Sequence, residues 1–121
     1  MMEKVYFPQE RYLHNLEIIE DFNPKLRNAF KRAVVELRQS RRANDHKFRA
    51  IPTNNLWISD IGGRRGGRIV YIKKENKLIL WGFGPDHDIE DEASRYFINQ
   101  DKEEYIINSD LQEVTQHFLS D

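Results

Sequence analysis

Three features in the second half of the chain have residue types suited to chemistry on a phosphate. Arg68 begins an aliphatic stretch typical of a β-strand, and a guanidinium fixed on a strand can bind a phosphate through two parallel hydrogen bonds. His87 lies between two aspartates, and an imidazole beside carboxylates can titrate near neutral pH and act as a general acid or base. The loop at residues 62–67 places Arg64 and Arg65 among four glycines. Its flexible backbone would let either guanidinium approach phosphate or stack on an RNA base.

Each of these features also has a structural interpretation that the sequence leaves open. Arg68 could form a cross-strand ion pair with a carboxylate such as Asp60. His87 could be a surface residue that caps a turn, and the glycines at residues 62–67 could serve a hairpin loop that needs positive φ angles. That loop is not a phosphate loop of the Walker type, because no Gly-Lys-Ser/Thr sequence follows it.

Composition excludes several other kinds of site. The 121 residues contain no cysteine, which rules out disulfides, cysteine nucleophiles and zinc or iron–sulfur centres held by cysteine. The histidines and carboxylates show no recognisable ligand spacing, so we expect neither a metal nor a cofactor. No apolar stretch approaches the ~20 residues that cross a bilayer. We therefore expect a cytoplasmic protein that does not bind membranes.

Charge is strongly segregated along the sequence. Residues 1–24 carry a net charge of −3, residues 25–74 a net charge of +11 and residues 75–121 a net charge of −9, although the whole chain has only −1. A basic block of this kind is typical of phosphate binding. The residues of the block that we predict to contact RNA are Lys47, Arg49, Arg64, Arg65 and Lys73.

The apolar pattern predicts one α+β domain over residues 1–121. Its first two helices form a hairpin, and three later strands form an antiparallel meander that joins the N-terminal strand in a small twisted sheet. Residues 99–121 form an acidic helical extension. The predicted elements are a strand at Lys4–Phe7, helices at Gln9–Phe22 and from Pro24 to Arg42, strands at Leu56–Ile61, Arg68–Lys73 and Lys77–Phe83, and C-terminal helices beginning at Asp88 and Ser109.

This order of elements, together with four short motifs, resembles the RelE/ParE superfamily of bacterial toxins from toxin–antitoxin pairs. The resemblance covers roughly residues 4–98. The motifs are Leu56-Trp57-Ile58, Gly67-Arg68-Ile69-Val70-Tyr71-Ile72, Leu78-Ile79-Leu80 and the histidine at position 87.

The resemblance implies metal-free cleavage of messenger RNA, often on the ribosome, by attack of a ribose 2′-hydroxyl on the neighbouring phosphate. It implies that Arg68 stabilises the charged phosphorane, that His87 transfers a proton and that Tyr71 is mostly structural. The tyrosine that often follows the histidine in this family is Asp88 here. The resemblance also implies an antitoxin protein as partner.

The same resemblance leaves a second function open. The ParE branch shares the fold but inhibits DNA gyrase without cleaving RNA, so similarity of fold does not choose the activity. The alternative prediction is therefore a non-enzymatic binding protein, either a gyrase inhibitor or a module that docks on a protein partner.

Overall fold

The computed structural model of the chain describes residues 3–48, 55–61, 66–84, 88–98 and 101–118. These residues form a mixed α+β structure with four α-helices and a six-stranded sheet. The helices are α1 (Tyr12–Asp21), α2 (Pro24–Leu37), α3 (Asp88–Tyr96) and α4 (Asp101–Asn108). The strands are β1 (Lys4–Pro8), β2 (His46–Lys47), β3 (Leu56–Ile61), β4 (Gly67–Lys74), β5 (Lys77–Gly84) and β6 (Leu111–Glu113). Short 3₁₀ turns lie at Gln9–Arg11 and Thr115–Phe118.

The sheet is mixed, with the strand order β2-β3-β4-β5-β1-β6. Strand β3 is antiparallel to β4, and β4 is antiparallel to β5, whereas β1 lies parallel to β5. The turn between β4 and β5 consists of Glu75 and Asn76, which both have positive φ angles, as a two-residue hairpin whose twist matches its strands requires. The predicted α+β class is confirmed, and strands β2 and β6 are additions that the sequence pattern did not reveal.

Both faces of the sheet are covered by helices. Alternate residues of a strand point to opposite faces, and on β4 Tyr71 packs into the core with α1 and α2 while Ile72 packs into the core that includes α3 and α4. The expectation that Arg68 can bind a phosphate implies an open face of the sheet at this residue, but α3 lies over that part of β4. Within the described residues, no helix combines the length and the apolar character needed to span a bilayer.

The C-terminal segment differs from the prediction. Instead of a helix beginning at Ser109, the chain forms strand β6 and then the 3₁₀ turn at Thr115–Phe118. The reason is a long-range interaction, because the backbone groups on the outer edge of β1 need hydrogen-bond partners. Val5 O accepts a hydrogen bond from Val114 N, and Val5 N donates one to Thr115 Oγ1. Phe118 is then buried against the ring of Phe7. Strand pairing and burial outweigh the local capping signal at Ser109.

Gly67, at the start of β4, and Gly84, at the end of β5, provide a matched test of how closely these two strands approach each other. A Cβ at Gly67 would clash with the backbone oxygen of Gly84, whereas a Cβ at Gly84 would meet its nearest neighbour, Ile89 Cβ, at an ordinary 3.6 Å. We expect Gly67→Ala to lower the free energy of unfolding by about 1–3 kcal/mol, and Gly84→Ala to change it much less. Urea denaturation of the two variants checks this, and equal stability would show that β4 and β5 are not in close contact here.

Candidate functional site

The candidate site lies where three strands of the sheet begin or end together. Strand β3 ends at Ile61, which pairs with Gly67 at the start of β4, and the next residue of β4, Arg68, pairs with Gly84 at the end of β5. The described residues that flank segments 62–65 and 85–87 therefore meet at one end of the sheet. In the sequence, the predicted loop follows Ile61, and the predicted catalytic residue His87 comes shortly after Gly84.

Four of the predicted site residues lie outside the described part of the chain: His87, Arg64, Arg65 and Arg49. Their roles stay predictions. In the sequence, His87 immediately precedes the first residue of α3.

Arg68 is held by two carboxylates from different elements. Its Nε donates to Asp60 Oδ1 at 3.0 Å, and its Nη1 donates to Glu90 Oε1 at 3.0 Å. The first contact follows from register, since Asp60 is the direct cross-strand partner of Arg68 on β3. The second arises because Ile89 and Ala93 bury one side of α3 against the sheet, which brings the first turn of the helix over Arg68. With only 20% of its side chain exposed, the guanidinium has a fixed orientation.

The electrostatics of this group set a condition on any phosphate that binds there. Asp60, Arg68 and Glu90 together carry a formal charge of −1, and the first turn of α3 adds Asp88 and Asp91. A phosphate must therefore compete with the two carboxylates for the guanidinium. Within the described ranges, no three His, Asp or Glu side chains are grouped so that they could hold a metal ion.

The two described lysines that were predicted to contact RNA lie elsewhere. Lys73 is at the opposite end of β4 from Arg68, where its Nζ donates to the backbone oxygen of Leu37 at 2.7 Å and pairs with Glu3 at 3.1 Å. Only 16% of its side chain is exposed. An ammonium at this position satisfies a carbonyl at the C-terminus of α2 and the negative end of the helix dipole. These contacts give Lys73 a structural role.

Lys47, in contrast, is exposed on the edge strand β2 and lies beside an aromatic ring. It is the cross-strand partner of Trp57, and its Nζ is 5.9 Å from the ring centroid. The guanidinium carbon of Arg41 lies 4.1 Å from the same centroid. Sequence reasoning missed Arg41 and Trp57 as a cation–π pair, because only the folded chain brings the guanidinium over the ring.

Two tyrosines, the buried Tyr71 and the partly exposed Tyr96, donate short hydrogen bonds to carboxylates. Tyr71 Oη donates to Asp45 Oδ2 at 2.6 Å, and Tyr96 Oη donates to Glu10 Oε1 at 2.6 Å. Burial raises the pKa of Tyr71 far above its ordinary value of 10.0, and the hydrogen bond to anionic Asp45 raises it further. Burial and Glu10 likewise raise the pKa of Tyr96. Both phenols therefore stay protonated at neutral pH and serve as hydrogen-bond donors that fix their surroundings.

Comparison with known proteins identifies no relative that could assign a function to the end of the sheet. No protein-family model, no curated protein and no solved structure matches the chain.

Proposed function

We propose that the chain is a metal-independent endoribonuclease of the RelE/ParE toxin type, which cleaves messenger RNA free or on the ribosome and is neutralised by an antitoxin protein. The observation that carries the proposal is the position of Arg68. A mostly buried arginine is fixed by Asp60 and Glu90 at the end of the sheet, where β3 ends at Ile61 and β5 ends at Gly84. In the sequence, the segment with Arg64 and Arg65 follows Ile61, and the segment with His87 follows Gly84.

The order of six of the elements supports the toxin-type core. Strand β1, the pair α1 and α2, and the strands β3 to β5 follow the order of the predicted core. Arg27 ties the two helices together, because it donates to the backbone oxygens of Ile19 and Phe22 at the end of α1. We propose that these elements are the core and that β2, α4 and β6 are additions to it.

The proposed reaction needs two things from the protein. Attack of a 2′-hydroxyl on phosphorus concentrates negative charge on the phosphoryl oxygens, and a fixed cation in a site with little water stabilises that charge most effectively. Arg68 supplies the cation. A proton must also leave the 2′-hydroxyl and another must reach the departing 5′-oxygen, and His87 is the residue that we assign to proton transfer.

Asp60 and Glu90 fit this proposal as positioning residues. Their two bonds set the plane of the Arg68 guanidinium before any substrate arrives. The scissile phosphate then replaces one carboxylate at the guanidinium, and the other keeps the orientation. A preorganised group does not have to be reoriented during the reaction, which is the source of its catalytic value.

The test is cleavage by the purified wild-type protein in EDTA, with and without ribosomes. A single-stranded RNA is compared with the same RNA carrying 2′-deoxy sugars at the cleaved positions. We expect cleavage of the first substrate only, with a 2′,3′-cyclic phosphate at the new end. Absence of cleavage under both conditions, or cleavage that EDTA abolishes, would contradict the proposal.

One observation favours the alternative, a non-enzymatic binding protein such as a gyrase inhibitor. The two carboxylates already satisfy Arg68, and the group has a net negative charge, as suits docking on a basic protein surface more than binding RNA. For this function we expect no RNA cleavage but inhibition of gyrase supercoiling or a stable protein complex in the same preparation.

A further inference from the structure

A tryptophan flanked by two cations lies at the β2–β3 edge of the sheet. Trp57 on β3 has Lys47 as its neighbour on β2, and the guanidinium of Arg41 stacks over its ring at 4.1 Å. Trp57 is only partly buried, while Arg41 and Lys47 are exposed. We call these three residues the Trp57 platform. Stacked rings and guanidinium planes on a basic surface are the groups on which single-stranded nucleic acids stack their bases.

The cations of the platform have no direct carboxylate partner in the described part of the chain, where no ion pair joins Arg41 or Lys47 to an acid. Glu36 pairs with Arg42 Nε at 2.8 Å. Asp45 accepts hydrogen bonds from the Tyr71 hydroxyl and from Arg42 N. The platform therefore presents its cations to an incoming phosphate, unlike Arg68, which a phosphate can reach only in competition with carboxylates.

A cavity adjoins the platform at the C-terminal end of α2. Its volume is about 320 Å³, and its lining combines Gln39, Ser40 and Arg41 with the ion pair of Glu36 and Arg42. This volume is at the lower end of the range of small-molecule sites, roughly 300–1,000 Å³, and suits a ligand of the size of one nucleotide. Because Arg41 belongs to both the cavity and the platform, a single ligand can contact both.

We infer that the Trp57 platform and this cavity bind one nucleotide of a single-stranded RNA, with the base stacked on the Arg41–Trp57 pair and a phosphate paired with Lys47. The inference rests on the proposed function only in naming RNA as the ligand. Trp57 packs on the side of the sheet that carries α1 and α2, whereas Arg68 binds Glu90 of α3 on the other side. The platform is therefore a tethering site away from the reacting phosphate.

Tryptophan fluorescence tests the inference directly. The chain has two tryptophans, and since Trp81 is fully buried, quenching by a stacked base reports on Trp57. The probe is a 2′-O-methyl RNA of about eight nucleotides, within the site sizes known for single strands, which cannot be cleaved through its 2′-oxygen. We expect quenching in the wild-type protein and its loss in Trp57→Phe, which retains an aromatic ring for packing.

Variants of Arg41 separate stacking from charge. We expect Arg41→Ala to weaken binding of the probe by about 10-fold, in the range found when a stacking side chain is removed. Arg41→Lys keeps the charge, so the dependence of affinity on salt stays as in the wild type, but it loses the planar group and still weakens binding. Lys25→Ala is the matched control, since Lys25 is an exposed base at the other end of α2.

Three results would overturn the inference. The first is equal affinity of Arg41→Ala and Lys25→Ala for the probe. The second is the same quenching by polyglutamate, which carries charge but no bases. The third is cleavage of unmodified RNA by Arg41→Ala with an unchanged KM, a result that would leave the proposed function intact. Conversely, Arg41-dependent binding without any cleavage would support the platform and refute the proposed enzyme.

Discussion

Replacement of Arg68 by alanine is expected to slow RNA cleavage by about 10²- to 10³-fold, the loss found when a fixed donor to a developing oxyanion is removed. The guanidinium is held at 3.0 Å from Asp60 and at 3.0 Å from Glu90, so its contribution is that of a preorganised cation. The protein should stay folded, because both carboxylates are partly exposed and can be hydrated when the cation is gone. Single-turnover cleavage with saturating enzyme measures the chemical step.

Two control variants sharpen this test: one replaces an arginine of α3, the helix that carries Glu90, and the other replaces Arg68 itself by lysine. Arg95→Ala removes an exposed arginine from the last turn of α3, and we expect it to cleave at the wild-type rate. Arg68→Lys should recover little activity, since an ammonium is a point charge that cannot reproduce the planar fork of two fixed bonds. If Arg68→Ala cleaves as fast as Arg95→Ala, Arg68 has no part in the reaction and its role is the structural ion pair.

The local signals in the sequence predicted most of the helices and strands around the core, although α2 ends at Leu37 and not at Arg42. Asn23, directly before Pro24, has the residue type and position of a helix N-cap, and its side chain accepts a hydrogen bond from Leu26 N at 2.8 Å. Capping, proline at the first helical position and runs of β-branched residues depend on neighbours a few residues apart. Such signals need no knowledge of the tertiary structure.

The missed elements depend on contacts between distant parts of the chain. The hydrogen bond from Val5 N to Thr115 Oγ1 joins residues 110 positions apart. Strand β6 forms because it pairs with the outer edge of β1, whose backbone groups need hydrogen-bond partners. No local pattern near residue 111 encodes that edge. The predicted helix from Ser109 was wrong because its apolar residues are buried by a different geometry from the one that a helix would use.

The contacts of the candidate site also divide into those that the sequence pattern predicts and those that depend on the tertiary structure. The contact between Asp60 and Arg68 was foreseeable, because the two residues face each other across the predicted β3–β4 pair. Glu90 was not, since its position depends on how α3 packs over the sheet. The platform was missed for a similar reason: Arg41 follows α2, and only the crossing of α2 over β3 brings it onto Trp57.

The polar contacts of Arg11 and Asn15 with β5 also depend on the tertiary structure and were not predicted from the sequence. The register of β1 with β5 ends at Tyr6 and Ile79, which leaves the carbonyl of Trp81 without a strand partner on that side. Arg11 Nε donates to this oxygen at 2.6 Å and Asn15 Nδ2 donates to it at 3.2 Å. An unpaired buried carbonyl is costly, so these polar side chains replace the missing strand. Nothing in the periodicity of α1 indicates that Asn15 is fully buried.

The largest effect on stability is expected from Phe30→Ala, which should lower the free energy of unfolding by about 3–5 kcal/mol. The Phe30 ring is fully buried and contacts the rings of Phe22, Phe83 and Phe118, with the closest centroids 4.5 Å apart at Phe83. It therefore joins α2 to β5 and to the C-terminal 3₁₀ turn, and its loss leaves a cavity that three different elements would have to move to fill.

Leu13→Ala is the matched control for that prediction, because the Leu13 side chain is 72% exposed and surface substitutions change stability by about 0.5 kcal/mol or less. Urea denaturation should give the two variants clearly different midpoints, and equal midpoints would mean that Phe30 is not part of the core.

The folded fraction of Phe30→Ala should still cleave RNA at the wild-type rate, because Phe30 packs on the face of the sheet opposite the Arg68–Glu90 pair. Phe30→Ala and Arg68→Ala thus have opposite expected outcomes, one losing stability with the chemistry kept and the other losing the chemistry with the fold kept. A loss of both in either variant would show that the site and the core are not independent.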